Sequence, residues 1–243
     1  KKGMTVEALQ VVVHSVGILQ SNATIIHYPV EGFTVVCDPG EDAEKLIDTL
    51  EEFHAPVSAI FLTHAHIDHI GALHEVTEFS KKLNHRLGAL DPLKIYLHPK
   101  EEDIYRNVGV QARMFNMNPF PVPEKVYHYR GKDSFHEIPD ATSAETPGHS
   151  PGSCILKIDR PCEVTAFIDG TMKEFNSDAL MVAGDTLFQG SVGRTDIWGG
   201  SATQLRESLD REIKTLDQDY LVVTGHGPVT TLKEELSSNP FLR

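Results

Sequence analysis

The chain has 243 residues, 40% of them hydrophobic, enough for one sizeable core and suited to a single domain over 1–243. Lys and Arg number 22 against 35 Asp and Glu, a net charge of −13 with His neutral. That balance argues against nucleic-acid phosphate as the main partner and leaves solubility as its plain role. No run approaches the roughly 18–20 apolar residues of a membrane span. No cationic stretch leads into an apolar one at the start, so neither a membrane nor a secretory route is expected.

The first forty residues carry three strand-like runs, LQVVVHSVG, NATIIHYPV and FTVVCDPG, each rich in β-branched residues and closed by turn formers. Residues 41–53 place Ala43, Leu46, Ile47 and Leu50 at helical spacing. VSAIFLT (57–63) is a short continuous apolar run, the mark of a buried strand. IGALHEVTEFSKKL after it reads as a helix, KIYLH (94–98) as a strand and PKEEDIYRN as a short helix. Residues 109–133, with their Pro, Asn and Met, predict a long loop or lid. Strands resume with SCILKI, EVTAFID and ALMVA. Residues 201–216 form an amphipathic pattern with Leu205, Leu209, Ile213 and Leu216 on one face. DYLVVTG is a last buried strand and TLKEELSSNPF a closing helix. Two β-rich halves, each finished by helices, predict two packed sheets with helices outside. Cys37, Cys154 and Cys162 are odd in number and lack C-x-x-C spacing, so buried thiols in a reducing, cytoplasmic setting are expected.

The chemistry concentrates in FLTHAHIDHIGAL (61–73), which crowds His64, His66, Asp68 and His69 between two apolar segments. If the strand continues past Thr63, alternation sends His64 and His66 to one side. Asp68 and His69 then fall on the turn into the next helix. Imidazole nitrogens and carboxylate oxygens are ligands that zinc or iron prefers. Three distant loops offer partners: His149 in TPGHSPGS, Asp185 in VAGDTLF and His226 in VVTGHGP, each at a predicted turn and the last two directly after apolar strands.

This set resembles the metallo-β-lactamase-fold superfamily, whose H-x-H-x-D-H stands here as His64-Ala65-His66-Ile67-Asp68-His69. The later ligands match His149, Asp185 and His226. Residues 184–200, GDTLFQGSVGRTDIWGG, and 225–243, GHGPVTTLKEELSSNPFLR, are similar to the hydroxyacylglutathione hydrolase (glyoxalase II)-like branch. The match is to the shorter form, without the C-terminal helical domain of the longer enzymes. The resemblance implies an α+β fold of αββα type: a four-layer sandwich of two mixed β-sheets with helices on both outer faces. It implies one metal on His64, His66 and His149, a second on Asp68, His69 and His226, and Asp185 bridging them. Two divalent ions follow, zinc first, with iron or manganese as alternatives. The implied function is a dinuclear-metal hydrolase that opens an acyl thioester of hydroxyacylglutathione type by attack of a metal-bridging hydroxide, a small-molecule reaction. Asp68 and Asp185 also stand where either would orient the attacking water.

Arg194 in GSVGRTD is either a bidentate anchor for a substrate carboxylate or half of an internal salt bridge to Asp196. Asp38 in VVCDPG either holds a ligand histidine by hydrogen bond or simply starts an Asx-type turn. Met114, Phe115, Met117 and Phe120 offer either an apolar pocket wall or core packing. A second function is a persulfide dioxygenase with one iron on His64, His149 and Asp185; a third is a non-catalytic metal-binding module. His14, His27, His54, His74, His85, His98, His128 and His136 match no ligand position and are expected at the surface or satisfied in the core.

Overall fold

The computed structural model describes residues 7–243. Strands β1 (Leu9–Val16), β2 (Ser21–Tyr28) and β3 (Phe33–Cys37) form an antiparallel meander through tight turns. Helix α1 (Ala43–Phe53) then crosses over to β4 (Val57–Phe61), parallel to β3. Helices α2 (Ile67–Ile70) and α3 (Leu73–Arg86) cross to β5 (Lys94–Leu97), parallel to β4. Parallel neighbours require such crossovers, which is why helices alternate with strands here. After α4 (Glu102–Arg106) and α5 (Val108–Met114), the short β6 (Tyr127–His128) ends this edge.

The second sheet opens with β7 (Ser134–Phe135), β8 (Ile138–Glu145) and β9 (Cys154–Ile158). The chain returns to the first sheet as β10 (Cys162–Ile168) and β11 (Thr171–Ser177), with β10 parallel to β1. It re-enters the second as β12 (Leu180–Gly184), passes the small hairpin β13 (Leu187–Phe188) and β14 (Ser191–Val192), and continues through α6 (Ala202–Ser208). Strands β15 (Leu221–Thr224) and β16 (Thr230–Thr231) and helix α7 (Leu232–Ser238) finish it. The sheet orders are β11-β10-β1-β2-β3-β4-β5-β6 and β16-β15-β12-β9-β8-β7.

Side-chain alternation sets the layers. Val11, Val13, Ile26, Val35 and Phe61 meet Leu156, Ile158, Val182 and Val223 between the sheets. Their neighbours Ile25, Val36 and Ile60 turn outward onto Leu46, Leu50, Leu73 and Val76 of the first helical layer. Met181 and Val222 turn outward onto Leu205, Leu209, Ile213 and Leu232 on the opposite face. The result is the four-layer αββα sandwich of two mixed sheets.

Four local features depart from the sequence reading. The helix expected over 70–83 is two helices, because the Ala72 N–H turns to the Pro39 and Gly40 carbonyls at 3.1 and 2.7 Å. The helix over 201–216 leaves the α form after Ser208 and widens over Leu209–Ile213, with the Lys214 N–H on the Leu209 carbonyl at 2.9 Å. Apolar residues every fourth position drift off a 3.6-residue stripe, and the wider turn returns Leu205, Leu209 and Ile213 to one buried face. The segment 109–133 begins inside α5 and is irregular over 115–126 and 129–133, on either side of β6. Strand β11 was unforeseen since it is a polar edge strand, with Lys173 and Glu174 in solvent. Cys37, Cys154 and Cys162 are buried free thiols.

Candidate metal centre

Strands β3, β4, β8, β12 and β15 all hand over, at their carboxyl ends, to segments carrying Asp38, the 64–69 cluster (its last three residues in α2), His149, Asp185 and His226 in that order. The two sheets are tied together at this edge. The Asn22 N–H donates to the Gly225 carbonyl at 2.7 Å, its side-chain amide to the Thr224 and Gly227 carbonyls at 2.9 Å, and the Cys154 N–H to the Thr63 carbonyl at 2.9 Å.

All seven predicted ligands converge there. His64, His66 and His149 form one group whose ligand atoms lie within 4.8 Å of one another, and Asp68, His69 and His226 form a second. Asp185 stands between the groups, Oδ2 3.3 Å from His149 Nε2 and Oδ1 3.3 Å from His69 Nε2. Within the second group, Asp68 Oδ2 is 3.0 Å from His226 Nε2. β4 ends at Phe61, so strand alternation does not reach His64 and His66, yet their rings lie 4.8 Å apart in one group. Asp68 and His69 lie inside α2 rather than on a turn before it. Gly225 has no side chain for a steric reason: a Cβ there would strike the Asp185 carboxylate.

In four of the five rings the second nitrogen is spoken for, which sets which nitrogen faces inward. His149 Nδ1 donates to the Arg194 carbonyl at 2.8 Å and His226 Nδ1 to the Leu19 carbonyl at 3.0 Å. His69 Nδ1 donates to Asp38 Oδ2 at 3.2 Å, and His64 Nδ1 lies 3.0 Å from the Thr63 hydroxyl. Asp38, His64 and His69 also satisfy the proximity of a ligand group. The Asp38 oxygens are already taken, however, by the Thr63 amide (2.8 Å), the Thr63 hydroxyl (2.6 Å) and His69. Asp38 therefore supports a histidine, the first of its two expected roles.

Whether these residues fit a cation is tested by what they leave unpaired. His64 Nε2 is buried with no hydrogen-bond partner, a costly state for a polar atom. His66 Nδ1 and His149 Nε2 face each other at 2.8 Å. Burial, then His149 beside it, pushes His66 down to about 3. Burial and the neighbouring imidazoles hold His64 low as well, so the two rings present lone pairs rather than protons. Burial opposes charge on Asp185, but the surrounding histidines, His69 foremost, outweigh it and keep the carboxylate ionised. Converging imidazole lone pairs and carboxylates suit divalent zinc, iron or manganese. The residues fit the ions.

A cavity of about 430 Å³ opens over this cluster. Met114 and Phe115 from the end of α5, Leu19 from the β1–β2 turn, Phe188, Ile197 and Trp198 wall it. Met117 and Phe120, read beside them in the sequence, pack instead against the helical layer of the first sheet. Arg194 borders the cavity but pairs with Asp196, Nε to Oδ1 at 2.7 Å and Nη2 to Oδ2 at 2.9 Å, in solvent. Of the histidines outside the ligand set, His14 bonds the Thr49 hydroxyl and His98 bonds Glu145. Sequence reasoning missed Trp198, the Leu19 carbonyl, Glu101 and Gln111. Nothing local marks Glu101 off from Glu102 or Asp103 beside it.

Residues 16–168 match the metallo-beta-lactamase superfamily. The chain belongs to the metallo-β-lactamase superfamily. Among relatives of this metallo-β-lactamase-fold protein, a "probable metallo-hydrolase" of Bacillus subtilis is 33% identical over 93% of this chain and 94% of its own. The "hydroxyacylglutathione hydrolase GloC" of Haemophilus influenzae is 30% identical over 92% and 93%. Among solved structures, the B3 metallo-β-lactamase BLEG-1 superposes with a TM-score of 0.73 at 30% identity, over 96% of this chain and 99% of its own. A protein solved in a di-iron-bound form gives 0.69 at 31% identity over 94% and 98%.

Proposed function

We propose that this superfamily member is a metal-dependent hydrolase that cleaves an acyl thioester, with a hydroxyacylglutathione-like compound as reference substrate. The observation that carries it is the convergence of two three-residue ligand groups, with Asp185 between them, at the floor of an apolar cavity. The names of the relatives from B. subtilis and H. influenzae support the same class of reaction.

In this reading His64, His66 and His149 hold one divalent ion and Asp68, His69 and His226 a second. When bound, such ions supply Lewis acidity toward a water and toward a carbonyl oxygen. Asp68 and Asp185, the two carboxylates of the cluster, would orient the attacking water. Phe115, Ile197 and Trp198 exclude bulk water and receive the apolar part of the substrate. Arg194 meets a substrate carboxylate; its bond to Asp196 lies in solvent, where an ion pair is weak and readily exchanged.

A persulfide dioxygenase would need only His64, His149 and Asp185. The complete Asp68–His69–His226 group gives no role to that economy, whereas the di-iron neighbour keeps iron among the candidate metals. The test measures metal content and, on the same sample, S-lactoylglutathione hydrolysis, persulfide-dependent oxygen uptake and β-lactam hydrolysis. Two ions per chain with thioester cleavage is the expected result. One iron with oxygen uptake, or β-lactam cleavage alone, would sink the reading.

A further inference from the structure

Between Thr63 and Ile67 the backbone leaves the sheet before α2 begins, so its polar groups lack ladder partners. Buried amides and carbonyls need partners, and here two side chains from the segment after β5 supply them. The Ala65 N–H donates to Glu101 Oε2 at 2.9 Å, and the Ala65 carbonyl accepts from Gln111 Nε2 at 3.0 Å. The Ile67 N–H donates to Gln111 Oε1 at 3.0 Å. Ala65 lies between His64 and His66, so both histidines hang from a peptide pair clamped on its two polar faces.

Glu101 also reaches a second ligand loop. Its Oε1 accepts from the Gly152 N–H at 2.7 Å, three residues after His149. Gly152 permits that approach, since a Cβ would lie 2.6 Å from His98 Nδ1 and 2.9 Å from Glu101 Cγ. The Glu101 residue is fully buried, at 0% exposure. One carboxylate thus spans the loops that carry all three histidines of the first group. Chemistry specifies the residue: both oxygens must accept, so an isosteric glutamine would set its own N–H₂ against a backbone N–H.

We propose that Glu101 and Gln111 are positioning residues that fix the mutual spacing of His64, His66 and His149, and thereby that group's affinity for its ion. The proposal rests on the metal-binding reading above, not on the thioester. Gln111 stands three residues before Met114, so the same helix that walls the cavity holds the ligand loop.

The test titrates cobalt(II) into metal-free wild type, Glu101→Gln, Gln111→Met and Asn84→Ala, reading the visible absorption of the bound ion and its affinity by chelator competition. Asn84 is the control, for its side chain clamps the Val57 N–H at 2.7 Å and the Val57 carbonyl at 2.8 Å in the same manner, with no ligand on either segment. Glu101→Gln and Gln111→Met are expected to weaken the three-histidine site about 10- to 100-fold and alter its absorption. Glu101→Gln leaves the Asp68–His69–His226 site at its wild-type affinity. Asn84→Ala lowers the thermal midpoint and leaves metal affinity alone. Wild-type affinity and spectrum in both folded variants would overturn the proposal, as would an equal metal loss in Asn84→Ala. Should Glu101→Gln fail to fold by circular dichroism, Gln111→Met carries the comparison. A protein that binds cobalt but cleaves no thioester ends the functional reading and leaves this affinity comparison standing.

Discussion

Asp38 concentrates several demands in one carboxylate. It accepts from the Thr63 amide, the Thr63 hydroxyl and His69 Nδ1, is 1% exposed, and holds a left-handed backbone at φ +48°. Its oxygens serve donors only, so an amide in its place turns one acceptor into a donor facing a donor. Asp38→Asn is therefore expected to cost about 1–3 kcal/mol in the metal-free protein, the range for a buried group left unsatisfied. Urea unfolding of the variant beside wild type measures it; an unchanged midpoint would contradict the hydrogen-bond assignment. His69 shows the same economy. Burial alone would lower its proton affinity, but Asp68 and Asp185 outweigh burial and raise it.

The end of α5, the β1–β2 turn and the loop before α6 bring exposed large apolar side chains together over the ligand cluster. Met114, Phe115 and Trp198 are 72%, 52% and 46% exposed, and all three line the one cavity above the ligand cluster. Apolar groups gathered so around a polar floor form a binding surface rather than a packing defect. In the proposed reaction these walls would touch the substrate away from the reacting carbonyl and so contribute equally to ground and transition states. Trp198→Ala should accordingly raise KM by about 10- to 100-fold with little change in kcat, since burying an aromatic ring is worth about 1.5–3 kcal/mol. Steady-state kinetics on the thioester separates the two constants. A fall in kcat at constant KM would place Trp198 at the reacting atoms instead.

Across the molecule, turns far from the metal centre also hold the layers in register. Arg160, 4% exposed between β9 and β10, pairs with Glu31 at 2.6 Å beyond β2 and lies over the Tyr28 ring at 5.5 Å. The hydrogen bond from Arg160 holds the Glu31 carboxyl below the usual glutamate range. A carboxyl lowered on folding adds stability that is present above its unfolded value, near about 4.3. That stability is lost as pH falls through the lower folded value. Glu31→Gln should thus show a smaller acid-side loss of stability than wild type, read from urea midpoints between neutral pH and the acid limb. Parallel acid limbs for the two proteins would remove the pair from the pH response.

Much of this was legible in the chain. The period-2 and period-3.6 patterns are local, so β1 to β5 and α1 stand where the apolar residues place them, and α6 starts where the 201–216 pattern does. The residues that converge were legible too, because His64 to His69 sit side by side and His149, Asp185 and His226 each mark a tight turn. The polar edge β11 and the weakly patterned β8 were not, as neither presents an alternating apolar face to the reader. The break at Ala72 and the widened turn at Leu209 depend on partners distant in sequence. Residue type and short spacing thus determined which atoms offer themselves to a metal. Tertiary structure alone decided that β15 beside β12 brings His226 to Asp185, that Arg194 turns to Asp196, and that Glu101 rather than Glu102 clamps two histidine loops. The physical reason is that a hydrogen bond or a burial is a property of a pair, and only the folded sheets choose the pairs.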